Sequence, residues 1–127
     1  MHSVYISYSG KNCEAVLQVM EVLVRKGYAI MCECMLPYGE AAEAQARKQI
    51  RGADAMVAVI TDDAADCPYM ARDLAWAKEA EQKLLTVRVE NAVLPHGLQA
   101  CCRISEYPTE AEMAVFIEKL HGLVCDA

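Results

Sequence analysis

The sequence predicts an α/β domain of the flavodoxin type, with about five parallel strands in one sheet and helices on both faces, making three layers. The first observation behind this is alternation. Short β-branched or aromatic runs at residues 4–8, 28–32, 55–61 and 84–89 are separated by longer segments whose apolar residues recur at helical spacing. The second is length: the segments between the runs are long enough to cross over between parallel strands, a connection that takes about a dozen residues or more and is usually a helix. The third is that the runs are apolar at consecutive positions, which suits strands covered on both faces.

The elements follow in order. Val4-Tyr5-Ile6-Ser7-Tyr8 is too short for an ordinary helix and breaks at Ser9-Gly10, so it reads as the central strand. Val16, Leu17, Met20, Leu23 and Val24 then mark a helix that closes on Arg25-Lys26-Gly27, a basic last turn with a glycine stop. Residues 28–32 form a second strand, and 33–39 a loop carrying Leu36-Pro37-Tyr38-Gly39. Residues 40–51 are rich in strong helix formers, with acid early and base late as the helix dipole favours. Ala55-Met-Val-Ala-Val-Ile-Thr61 is the clearest buried strand, and residues 62–66 are a polar loop. Pro68 opens a third helix, where its missing N–H has no helical partner, and Met70, Leu74 and Ala77 fall on one face. Residues 84–89 are a fourth strand, 91–98 a turn-rich connection and 101–104 a short fifth strand. Thr109-Glu110-Ala111-Glu112 has the form of a capping box ahead of a last helix carrying Met113, Phe116, Ile117, Leu120 and Val124.

Bulk properties narrow the function classes. The 127 residues fit one domain, read here as spanning 1–127, and 55% of them are hydrophobic, enough for a sizeable core. Twelve Lys and Arg against eighteen Asp and Glu give a formal charge of -6, which argues against a nucleic-acid surface. No basic, apolar leader and no membrane-length apolar run is present, so a cytoplasmic protein without a membrane partner is expected. Seven cysteines without an export signal are expected to be reduced thiols. Cys32-x-Cys34 and Cys101-Cys102 lack the spacing of zinc knuckles, so no metal is expected and core packing is their assigned role. Asp62, Asp63 and Asp66 lie on one loop and read as a solvated turn.

Several chemistries lack their motifs. Ser9-Gly10-Lys11-Asn12 has neither the glycine-rich run of a phosphate loop nor the glycine triplet of a dinucleotide fold. A chain similar to phosphorylated receivers would end its first strand in acids, whereas this one ends in Ser7-Tyr8-Ser9. In an open α/β sheet the ligand crevice lies beyond the carboxyl ends of the strands, which places Ser7, Tyr8 and Ser9 at its rim.

Four stretches, in order, resemble the TIR (Toll/interleukin-1 receptor) domain family, prokaryotic type. Tyr5-Ile6-Ser7-Tyr8-Ser9 resembles its first motif, and residues 34–40, with Pro37, Tyr38 and Gly39, resemble the loop through which TIR domains self-associate. Residues 57–61 with Tyr69-Met70-Ala71-Arg72-Asp73-Leu74 resemble its third strand and Trp-Cys-x-x-Glu helix, and Leu94-Pro95-His96-Gly97-Leu98 resembles its Leu-Pro-x-x-Leu connection. The resemblance implies an enzyme cleaving NAD at the nicotinamide–ribose bond, with NAD as substrate and no other cofactor. It also implies self-association with other TIR domains and a part in prokaryotic immune signalling.

By position the glutamate of that helix is Asp73 here, and the tryptophan is Tyr69. A carboxylate suits the chemistry, because the leaving group is already cationic and a fixed anion can stabilise oxocarbenium character. The expected site is therefore Asp73 as catalytic residue with Ser7, Tyr8, Ser9, Tyr38 and Tyr69 lining it. Aspartate is one methylene shorter than glutamate, which leaves open a non-catalytic module that binds other TIR domains, with Asp73 then a solvated helix residue. An enzyme similar to nucleoside deoxyribosyltransferases, which share the layout, is the third alternative. Arg72 is read as a surface arginine and Trp76 as helix-packing surface.

Overall fold

A computed structural model describes residues 2–8, 14–32, 40–62, 67–95 and 97–125. The order is β1 (Ser3–Tyr8), α1 (Glu14–Arg25), β2 (Ala29–Met31), α2 (Glu40–Gly52), β3 (Ala55–Ile60), α3 (Pro68–Glu79), β4 (Leu84–Val89), β5 (Cys102–Ile104) and α4 (Glu110–Val124). Five parallel strands form one sheet in the order β2-β1-β3-β4-β5, the doubly wound flavodoxin-like arrangement. β2 and β5 are the edges and are three residues each, shorter than the 28–32 and 101–104 runs predict. Short edges offer little unpaired backbone to a stray strand.

The period of two along each strand sorts the core. Val4 and Ile6 of β1, Ala55, Val57 and Val59 of β3, and Leu85, Val87 and Val89 of β4 pack with Val16, Val19 and Leu23 of α1 and Met113, Phe116 and Leu120 of α4. Tyr5 and Met56 face the other way, against Ala46 and Ile50 of α2 and Ala77 of α3. Ala58 and Ile60 meet Met70 of α3 and Ala92, with Leu94 and Leu98 of the connection after β4 packed alongside. The helices therefore pair as α1 with α4 on one face and α2 with α3 on the other.

The predicted stops are built as such. Gly27 takes a positive φ of 87°, and its N–H and that of Tyr28 donate to the carbonyls of Val24 and Leu23, a Schellman-type close to α1. At α4, Thr109 Oγ1 accepts from the Glu112 N–H while Glu112 Oε1 accepts from the Thr109 N–H, completing the capping box. The Gln82 side-chain amide donates to both the Ile50 and Ala53 carbonyls at 2.7 Å, tying the end of α2 to the turn after α3.

The cysteines divide. Cys32 is buried in the core and Cys102 packs against it, as the core reading expects. Cys101 is exposed, contrary to that reading, because it precedes β5 at the sheet edge, where its N–H donates to the Thr86 carbonyl and its Sγ accepts from the Thr86 N–H. Among the described residues no helix is long and apolar enough to cross a membrane, and no group of His, Cys, Asp and Glu is placed to hold a metal ion.

Candidate functional site

In this strand order the chain departs in opposite directions from β1 and β3, and the crevice beyond their carboxyl ends is where such sheets take ligands. Ser7 lies near the end of β1, paired in register with Ala58 of β3. It is 2% exposed, and alternation along the strand turns it to the α2/α3 face, away from Tyr8. Tyr8 packs instead against the cluster under α1 and α4.

Asp73 arrives from α3. The buried residues of that helix are Met70, Asp73 and Ala77, three and four positions apart, so the carboxylate sits on the apolar stripe itself. It is 4% exposed, which overturns its alternative reading as a solvated helix residue. Its Oδ2 accepts a 2.8 Å hydrogen bond from Ser7 Oγ, and its Oδ1 pairs with the Arg72 guanidinium at 3.0 Å. A carboxylate this deep is sustained only when both oxygens are met by donors.

Arg72 is not a free surface arginine. Its side chain is 16% exposed, and its guanidinium carbon lies 5.1 Å from the Tyr69 ring centre and 4.6 Å from that of Trp76. Tyr69, Arg72 and Trp76 fall at i, i+3 and i+7 of α3, so the planar cation rests between two rings along one helix face. Tyr69 itself is largely exposed, at 59%. Trp76 also meets Arg47 of α2, whose guanidinium lies 5.9 Å from its ring and 2.6 Å from the Glu79 carboxylate.

Of the residues the sequence proposes for the site, the structure brings together Ser7 and Asp73, and Tyr69 joins them through Arg72. Ser9, Pro37, Tyr38 and Gly39 lie outside the described residues, as do Asp63, Asp66 and His96. Arg72 was not foreseen as a partner of Asp73, because neighbours on a helix do not face each other and only a long, flexible side chain can curl back. Burial of Asp73 did carry a signal, namely its spacing from Met70 and Ala77.

This fold and this crevice define a doubly wound α/β domain with a buried acid at its topological switch point. A sequence model of the TIR domain family matches residues 4–115, and the chain belongs to that family. Among solved structures it is similar to the TIR domains of the activated Roq1 resistosome directly recognising the pathogen effector XopQ, with 18% identity, a TM-score of 0.61, and 99% of this chain and 74% of that one covered. It is also similar to FerB, a flavoenzyme NAD(P)H:(acceptor) oxidoreductase from Paracoccus denitrificans, with 11% identity, a TM-score of 0.56, and 99% and 96% covered. At these identities the likeness is one of fold. No curated protein matches the sequence.

Proposed function

We propose that this TIR domain cleaves NAD between nicotinamide and ribose, in a signalling role of the kind found in prokaryotic immunity, and that it acts when copies associate. The observation that carries the reading is the buried Asp73 carboxylate, delivered by α3 to the end of β1 and aimed by Ser7 at 2.8 Å. A carboxylate is an acceptor-only group, so the O–H donors of a ribose diol are suitable partners for it. As the bond to the cationic nicotinamide lengthens, positive charge grows on the ribose, and an anion fixed in a poorly solvated place stabilises that charge more than water does. Neutral nicotinamide leaves with the bonding electrons and needs no proton from the enzyme, while water bonds to the ribose anomeric carbon in its place and gives up a proton to solvent. Ser9 and Tyr38 are assigned to the walls of the site, and Pro37, Tyr38 and Gly39 to the contact between copies. The Roq1 TIR domains, seen within an activated resistosome, support a fold suited to association.

A second reading is favoured by the ion pair. Arg72 already neutralises the carboxylate, and the shorter aspartate stands about an ångström back from where a glutamate would reach, a shift of the size that can cost about a hundredfold in rate. On that reading the chain is a docking module for other TIR domains. One experiment separates them: nicotinamide release from NAD at rising protein concentration, for wild type, Asp73→Ala and Asp73→Glu. Release that climbs with concentration and vanishes in Asp73→Ala supports the enzyme. A wild type that self-associates yet releases nothing, with Asp73→Glu gaining release, establishes the docking module.

A further inference from the structure

On the outer face of α2 and α3, beside the Asp73 site, lies a groove of about 620 Å³ lined by Glu43, Ala44, Arg47, Lys48, Arg51 and Trp76. Ala44, Arg47, Lys48 and Arg51 fall at i, i+3, i+4 and i+7 of α2, so three cations share one stripe opposite the buried Ala46 and Ile50. In a chain with a net charge of -6 this concentrates positive charge where the average surface is acidic. Glu43 is the one acid among the lining residues.

The cations are of two kinds. Arg47 is held on one edge by Glu79 at 2.6 Å, with its guanidinium carbon 5.9 Å from the centre of the Trp76 ring. A guanidinium already anchored on one edge loses less freedom on binding an anion, and its remaining donors suit the bidentate geometry of phosphate. Lys48 and Arg51 make no ion pair with the described residues, so their charges are not already spent on internal carboxylates. Trp76 ties the groove to the buried acid, since its ring is also the rest for Arg72, which holds Asp73.

We infer that this groove binds the phosphates of a nucleotide, with Arg47, Lys48 and Arg51 as their ligands and Trp76 as the platform that orders them. Two sources share this chemistry: the diphosphate of the dinucleotide substrate itself, which rests on the NAD-cleaving reading, and a separate nucleotide held next to the site.

Trp76 is the chain's single tryptophan, so its fluorescence reports this groove directly. The experiment titrates the Asp73→Asn chain, chosen so that the NAD-cleaving reading predicts no turnover during the titration, with pyrophosphate, ADP, adenosine and NAD. The expected result is a saturable change in emission with pyrophosphate, ADP and NAD and none with adenosine. Lys48→Glu/Arg51→Glu should weaken it at least tenfold, while Arg25→Glu/Lys26→Glu, an equal charge change on the α1 side, leaves it within about twofold. Wild-type steady-state kinetics then separate the sources. If the substrate's own diphosphate lies in the groove, Lys48→Glu/Arg51→Glu raises KM for NAD with little change in kcat; a separate nucleotide leaves KM unaltered while its binding is still lost. Absence of a saturable signal, equal loss in the Arg25→Glu/Lys26→Glu control, or equal response to adenosine overturns the inference. The fluorescence arm needs no catalysis, so it stands or falls apart from the NAD-cleaving reading.

Discussion

Replacing Ser7 and Asp73 by alanine, singly and together, asks how much of the seam between β1 and α3 rests on one hydrogen bond. Ser7 Oγ and Asp73 Oδ2 are 2.8 Å apart and both residues are at most 4% exposed, so water cannot substitute for either partner. A hydrogen bond to a charged acceptor contributes about 1.5–3 kcal/mol net, which is the expected cost of Ser7→Ala. Asp73→Ala removes the counter-charge of Arg72 as well, and breaking a buried pair costs about 3–5 kcal/mol. The lower end applies here, since Tyr69 and Trp76 still hold the guanidinium from both sides. In the double variant the serine has nothing left to lose, so the total should stay near that of Asp73→Ala alone. The coupling between the two sites should then be roughly the cost of Ser7→Ala itself. Urea unfolding followed by circular dichroism measures this, provided the m-value is unchanged across the set. Additivity within about 0.5 kcal/mol would mean that the two side chains stabilise the fold independently, and the geometry of the site as described would be wrong.

Other consequences are open to direct measurement. Burial, with Cys101 beside it, pushes the Cys102 thiol from 9.0 up to about 11, so at neutral pH its thiolate is about a hundredfold scarcer than that of an ordinary cysteine. Alkylation followed by mass spectrometry should label exposed Cys101 and Cys125 well before Cys102 or Cys32, and comparable early labelling of Cys102 would contradict its packing. Gln82→Ala leaves the Ile50 and Ala53 carbonyls without their side-chain donor and should cost about 1–3 kcal/mol, with hydrogen exchange quickening at the end of α2. The Thr109 N–H, then the Ser105 hydroxyl and N–H, hold the Glu112 carboxyl below its ordinary 4.5. A depressed folded-state value stabilises at pH above 4.5 and is lost as pH falls through the folded value, so the stability gap between wild type and Glu112→Gln should close on acidification from pH 6 to about 3. A gap that stayed constant over that range would show that the carboxylate charge is not what the cap uses. Phe116→Ala, at a fully buried ring, should cost about 3–5 kcal/mol in the same unfolding assay.

The layers were legible because the strands bury both faces: residues 55–60 are apolar at every position, and all six are buried. Caps were legible for the same local reason, since Gly27 and the Thr109–Glu112 box act within a few residues of themselves. What escaped was tertiary. Whether an aspartate on α3 faces water or β1 depends on which side of the helix meets the sheet, and reading Leu74 as the centre of the apolar face turned Asp73 toward its edge. The burial pattern centres the stripe on Met70, Asp73 and Ala77, with Leu74 only partly covered. The contact of Trp76 with Arg47 joins two helices that share no pattern in the sequence, so periodicity could not have found it, whereas Arg72 and Trp76, four apart on α3, were within its reach.

Asp73 and Arg72 are consecutive residues of one rigid helix. Acid and counter-charge therefore travel as a single body, and a tilt or slide of that helix leaves their mutual attraction untouched while lengthening the reach to β1. A neighbouring copy that nudged α3 would thus retune where the anion points at the expense of the Ser7 hydrogen bond, without having to pull opposite charges apart.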